Sequence, residues 1–133
     1  MPGLIGNLLN STAQPSLARS VRFGAARHAL LTANVANSAT PGYVQKDLSR
    51  DAFNASLGKT IDTRRRTGHW DDVSDKLELS DEAGGILYHD GNNRSMEELM
   101  AETAKNALHH NTMVELMRRE FDQLESAIRE RVV

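Results

Sequence analysis

Between Ser95 and Arg131 apolar and small side chains recur at alternating steps of three and four: Met100, Thr103, Ala107, His110, Val114, Met117, Phe121, Leu124 and Ile128. No Pro or Gly interrupts the run, so the spacing predicts one long helix carrying the a/d stripe of a heptad repeat. Ser95 followed by Glu98 supplies a capping-box start, the serine oxygen accepting from a free N–H of the first turn. At about 1.5 Å per residue such a helix is roughly 50 Å long and needs a partner along its length. A second stripe meets that need. Leu17, Val21, Gly24, His28, Leu31 and Val35 follow Pro15 at the same spacing, which predicts a helix over 15–37 with Pro at its start. Gly24 on this stripe sacrifices helix propensity but lets another backbone come close. Leu30, Leu99, Leu108 and Leu116 flank the two stripes and offer further apolar surface for other chains to cover. Ahead of both, Leu4, Ile5, Leu8 and Leu9 read as a short amphipathic turn.

The first helix must stop in Ala33-Asn34-Val35-Ala36-Asn37-Ser38-Ala39-Thr40-Pro41-Gly42-Tyr43. Asn34 and Asn37 suit a C-terminal cap, because Asn tolerates left-handed backbone and bonds the last carbonyls. Pro41 cannot continue a helix and pushes Thr40 into extended geometry. Pro41-Gly42 is the central pair of a type II turn from Thr40 to Tyr43, with Gly providing the positive φ. Tyr43 then heads an extended segment toward Leu48. Beyond it, 44–93 is polar and weakly periodic, and extended or irregular structure, partly disordered, is expected. Within it Lys76 to Ser80 and Ile86-Leu87-Tyr88, separated by Gly84-Gly85, form a candidate small hairpin.

Composition narrows the class. Hydrophobic residues make up 39% of the 133, aromatics 5%, and mean hydropathy is -0.50, low for one compact globule yet above wholesale disorder. The net charge of -2 conceals an asymmetry. No Asp or Glu precedes Asp47, while the last helix is rich in both. Opposite signs favour pairing of the two helices and set its orientation. Without cysteine there is no disulfide or thiol chemistry. No apolar run approaches the ~20 residues of a membrane span, and the opening residues lack the charged and apolar regions of a signal peptide; an organellar transit peptide is the lesser alternative for the acid-free start.

Candidate chemistry is sparse. His109 and His110 are consecutive, so on a helix they point about 100° apart, away from metal-ligand geometry. Arg64-Arg65-Arg66 near Trp70 invites a nucleic-acid reading, but one short basic run in an acidic chain reads better as a solvated loop. Asp90-Gly91-Asn92-Asn93 lacks the bidentate Glu of a calcium loop. No nucleophile, base and oxyanion set or phosphate loop is assembled. The expectation is a protein that is not an enzyme and has no metal, cofactor or nucleic-acid partner.

The motif at 33–43, together with Asp90 to Asn93 and Met96 to Leu108, resembles the signatures of bacterial flagellar axial proteins, and among them the basal-body proximal rod protein family FlgB; the short rod family FlgC is the nearer alternative. The resemblance implies a mainly α fold whose long N- and C-terminal helices pair as a coiled coil. Residues 1–43 would hold the first helix and turn, 44–93 the middle, and 94–133 the last helix, the two helices forming one rod core. The assembly motif would be Asn34, Asn37, Thr40, Pro41, Gly42 and Tyr43. It further implies a torque-transmitting shaft around the export channel, and passage of the uncleaved chain through the flagellar type III export gate. Its partners would be other copies of itself, other rod proteins and the basal adaptor FliE. A soluble coiled-coil adaptor or export chaperone is the other reading.

Overall fold

A computed structural model of the chain describes residues 13–68, 70, 79–81 and 96–130. The expected turn at Leu4 to Leu9, the cap residue Ser95, the loop at 90–93 and the second hairpin strand at Ile86 to Tyr88 lie outside these residues. The fold is mainly helical, with a long first helix α1 (Ala13–Ala36), a strand β1 (Lys46–Leu48), a helix α2 (Arg50–Thr67), a strand β2 (Leu79–Asp81) and a long last helix α3 (Met96–Glu130).

Helix α1 ends as its sequence requires. The Asn37 and Ser38 amides donate to Ala33 and Val35 carbonyls at 3.0 and 3.3 Å, and Asn37 Nδ2 donates to the Ala33 carbonyl at 2.8 Å, so side chain and backbone together satisfy the last turn. Gly42 has φ +74°, and the Tyr43 amide reaches back to the Thr40 carbonyl at 3.2 Å, as the Pro-Gly turn demands. The chain then straightens into β1, which pairs antiparallel with β2, Lys46 opposite Asp81 and Leu48 opposite Leu79. The strand at 79–81 thus joins the end of the first motif.

Helix α2 stands where extended or irregular chain is expected, and its physical causes are local. Ser49 is its N-cap, its side chain accepting from the Ala52 amide at 3.2 Å. Gly68, at φ +75°, closes the other end by donating to the Arg64 carbonyl. Both are standard helix punctuation. Arg64, Arg65 and Arg66 fill the last turn, where their charge is favourable against the helix dipole. The run expected to be a solvated loop is therefore helical. Phe53, Leu57, Thr60 and Ile61 form the covered side of α2, and Phe53 stacks on Phe23 of α1 with ring centroids 4.2 Å apart.

Helices α1 and α3 run antiparallel: Gly24 lies against Asn106 and His110, and Arg27, one turn on, reaches Glu102, one turn back. From Gly24 to Ala13 is roughly 16 Å of helix, whereas from Asn106 to Glu130 is roughly 36 Å. The end of α3 consequently extends past Ala13. Among the described residues, the buried apolar core is limited to Phe23, Leu31, Leu48 and Leu99, fewer than the seven buried polar ones. Polar contacts must carry much of the specificity.

Candidate assembly site

Three junctions hold the first motif against the helix pair. The first is Asn34, whose side chain is buried and hydrogen-bonded through both its oxygen and its nitrogen. Its Oδ1 accepts from the Lys46 amide at 3.1 Å and from the Tyr43 hydroxyl at 3.1 Å, while Nδ2 donates to the Lys46 carbonyl at 2.8 Å. An amide side chain that mimics a peptide on both edges binds the start of β1 as another strand would. Asn34 therefore sets the position of everything after the turn. Asn37 caps the helix, whereas Thr40, Pro41 and Gly42 are exposed at the turn's tip.

The second junction is ionic and buried. Arg27, 4% exposed, donates Nε to Asp47 Oδ1 at 2.7 Å and Nη2 to both Asp47 Oδ2 and, at 3.0 Å, Glu102 Oε2. Asp47 Oδ1 also accepts from the Leu48 amide, and Glu102 Oε1 from Lys105 Nζ at 2.7 Å. The bidentate fork of Arg27 joins α1, β1 and α3 at one point, a geometry that only guanidinium and carboxylate provide. Electrostatics follow. Its hydrogen bonds to Asp47 hold the Arg27 guanidinium above its ordinary value against the opposing effect of burial, with Glu102 contributing further. Hydrogen bonding to Lys105, opposed by burial and reinforced by Arg27, holds the Glu102 carboxyl below the usual range. Among the described residues Arg27 Nη1 has no hydrogen-bond partner.

The third junction is the crossing point. Asn106, buried, donates Nδ2 to the Gly24 carbonyl at 2.9 Å. A Cβ placed on Gly24 would lie 2.9 Å from His110 Nδ1 and 3.2 Å from its Cβ, so the expected close approach at Gly24 is present. Next to it, burial and then the charges of Arg50, His110 and Arg27 push the His109 imidazole below its ordinary value. Trp70 meets two cations, the guanidinium carbons of Arg19 and Arg64 standing 5.3 and 5.9 Å from its ring centroid. These cation–π contacts tie the end of α2 to the start of α1.

The expected seam is only partly the observed one. Leu31 is buried, and Leu17, Val21, Val35, Ala107, Val114, Met117 and Leu124 are half-buried. His28 is exposed, and so are Met100, Phe121 and Ile128, at 51%, 48% and 47%. The inward lines are instead Ser20, Gly24, Arg27, Leu31 and Asn34 on α1, and Leu99, Asn106, His110, Met113 and Met117 on α3. Each helix is turned by about one residue from the apolar a/d register, because satisfying Arg27 and Asn106 requires those residues inside. Met100, Phe121 and Ile128 share one heptad position with Ala107 and Val114; the rotation carries Met100 toward solvent, whereas Phe121 and Ile128 lie where α3 extends past Ala13. Sequence reasoning missed Arg27, Asp47, Glu102 and Asn106. The signal was present, since Gly24, Arg27, Leu31 and Asn34 have the same three-four spacing as the stripe beside them.

Among the described residues no helix is long and apolar enough to cross a membrane, and no cluster of three or more His, Cys, Asp or Glu is placed to hold a metal ion. No family model and no characterised protein matches the chain.

Proposed function

We propose that the chain is a structural subunit of the proximal rod of the bacterial flagellar basal body, polymerising through its terminal helices around the export channel and acting mechanically, without catalysis. The observation that carries this reading is the apolar line Met100, Phe121 and Ile128 on α3, each about half exposed, with Phe121 and Ile128 on the part of α3 that extends past Ala13. An exposed apolar line on a long helix is the mark of an interaction surface, and a helix with two such lines fits a bundle of more than two. The Asn34 clamp and the Pro41-Gly42 turn add the resemblance of their sequence to rod, hook and hook-associated subunits. Copies of the same chain, other rod proteins, FliE and the export gate are the partners this reading names.

Basal bodies test it. In cells whose own copy is deleted, an epitope-tagged wild-type chain is expected to restore swimming and to co-purify with the detergent-resistant rod, and a Phe121→Asp, Ile128→Asp chain to do neither. Normal swimming without the chain, or recovery of the tagged protein in the soluble fraction alone, would sink the reading; the latter outcome favours the adaptor alternative.

A further inference from the structure

Resting on the assembly reading and going one step beyond it, we infer that the end of α3 that outruns α1 is the seat of the chain's own residues 1–12, which guard it until a neighbouring copy takes their place. Phe121 and Ile128, 48% and 47% exposed, and half-buried Leu124 between them make an apolar line at three-four spacing. Helix α1 stops short of it, at Ala13. The residues before Ala13 include Leu4, Ile5, Leu8 and Leu9, a spacing that gathers four apolar side chains on one side of a helix. Lengths match as well: twelve residues of helix measure about 18 Å, against the roughly 20 Å by which α3 outruns α1.

Register agrees with length. Gly24 touches both Asn106 and His110 and so stands level with Leu108. Carried sixteen residues along each helix, the same antiparallel register sets Leu8 level with Leu124, and four more set Leu4 level with Ile128. Residues 1–12 hold no charged side chain, so covering the line asks nothing of Arg118, Glu125 and Arg129 beside it, which keep the ion pairs they make along α3. While the protein is dilute a second copy competes at a disadvantage, because a tethered segment acts at an effective concentration on the order of millimolar. In a growing assembly, where neighbours are held side by side, that advantage passes to them.

The chain has no cysteine, so disulfides report this seat without background. In a Leu8→Cys, Leu124→Cys variant, mild oxidation in dilute solution is expected to close the bond within one chain, roughly tenfold faster than in Leu8→Cys, Ser126→Cys, whose second thiol stands on the far side of α3. Bonds between chains would move the segment onto a neighbour, and equal rates for the two pairs would leave α3 without this cover; either result overturns the proposal. The guard is tested by Leu4→Gln, Leu8→Gln and, separately, by deletion of residues 2–12, each checked for native helicity by circular dichroism. A guard seated about nine-tenths of the time leaves a tenth of the molecules competent, so both variants are expected to associate in sedimentation at roughly tenfold lower protein concentration. If the disulfide closes within the chain but association is unchanged in both variants, the guard is overturned and the assembly reading survives. If wild type and both variants stay monomeric at every concentration, the guard and the assembly reading fall together and the seat alone stands.

Discussion

The two sides of α3 differ in what their contacts decide. The side against α1 sets Glu102, Asn106 and His110 among Leu99, Met113 and Met117, around Arg27 and Gly24, whereas Met100, Leu108, Phe121 and Ile128 are exposed. Polar groups share the inside with apolar ones, and large apolar groups also stand outside. Buried polar contacts have exacting geometry and a high penalty when mismatched, so they select one arrangement rather than supply much net stability. Apolar surface is indifferent to exact partners but contributes about 25 cal/mol per Å2 wherever it is covered. Intramolecular structure is thus specified largely by the first kind of contact.

That contrast is broken most severely at Arg27. Replacing it by Met leaves Asp47 buried without its guanidinium partner, and loss of one partner of a buried pair costs about 3 to 5 kcal/mol. Urea denaturation of Arg27→Met is expected to show a loss of that size, and the double variant Arg27→Met, Asp47→Leu to recover most of it. If the double variant is as unstable as the single one, the junction contributes packing rather than charge pairing. Gly24 comes next. Ala at this position gains about 1 kcal/mol of helix propensity, but its Cβ would meet the base of the His110 ring at 2.9 to 3.4 Å, an overpacking that costs typically 1 to 3 kcal/mol. A net loss of up to about 2 kcal/mol is expected. On a His110→Ala background the same substitution should become neutral or stabilising.

Titration sharpens the comparison more gently. Glu102 has its carboxyl held below 4.5 by Lys105 and Arg27, so its contribution is complete above 4.5, where the unfolded chain is also ionised, and is lost as pH falls through the lower folded value. His109 is held below 6.5 by burial and nearby cations. The unfolded chain then takes up its proton first, so stability is full above 6.5 and declines as pH falls through the folded value. Urea midpoints measured from pH 7.5 downward should decrease in two stages, and His109→Gln should remove the earlier. A midpoint independent of pH between 7 and 5 in the wild-type protein would show that His109 is not kept neutral by the fold.

Both long helices, the Pro41-Gly42 turn and the close approach at Gly24 were legible in the sequence because each rests on local rules: periodicity, fixed φ and the absent side chain. Helix α2 was equally local, marked by Ser49 and Gly68, but its apolar line of Phe53, Leu57 and Ile61 is narrow and its arginines resemble a loop. The register of the helix pair was not legible from apolar spacing. It is decided by Arg27, whose partners Asp47 and Glu102 stand 20 and 75 residues away, and no periodicity within one helix reports a partner at that distance. Asn34 illustrates the same point from the other side: its residue type pointed to a cap, while its actual bonds go to Tyr43 and Lys46 across the turn.

The smallest expected effect on the folded chain bears most directly on the outward side of α3. Leu108→Gln removes an apolar group that is 71% exposed, and Met100→Gln one that is about half exposed, so each should change monomer stability by no more than about 0.5 kcal/mol. Buried leucines behave otherwise: Leu31→Ala, at 2% exposure, should cost about 2 to 5 kcal/mol. If the outer face serves only as solvated surface, the Gln variants will sediment as the wild type does. If neighbouring copies cover it, the same variants will melt at the wild-type temperature in dilute solution yet require higher protein concentration to associate. A change in association without a change in monomer stability separates a surface kept for partners from a core left unfinished.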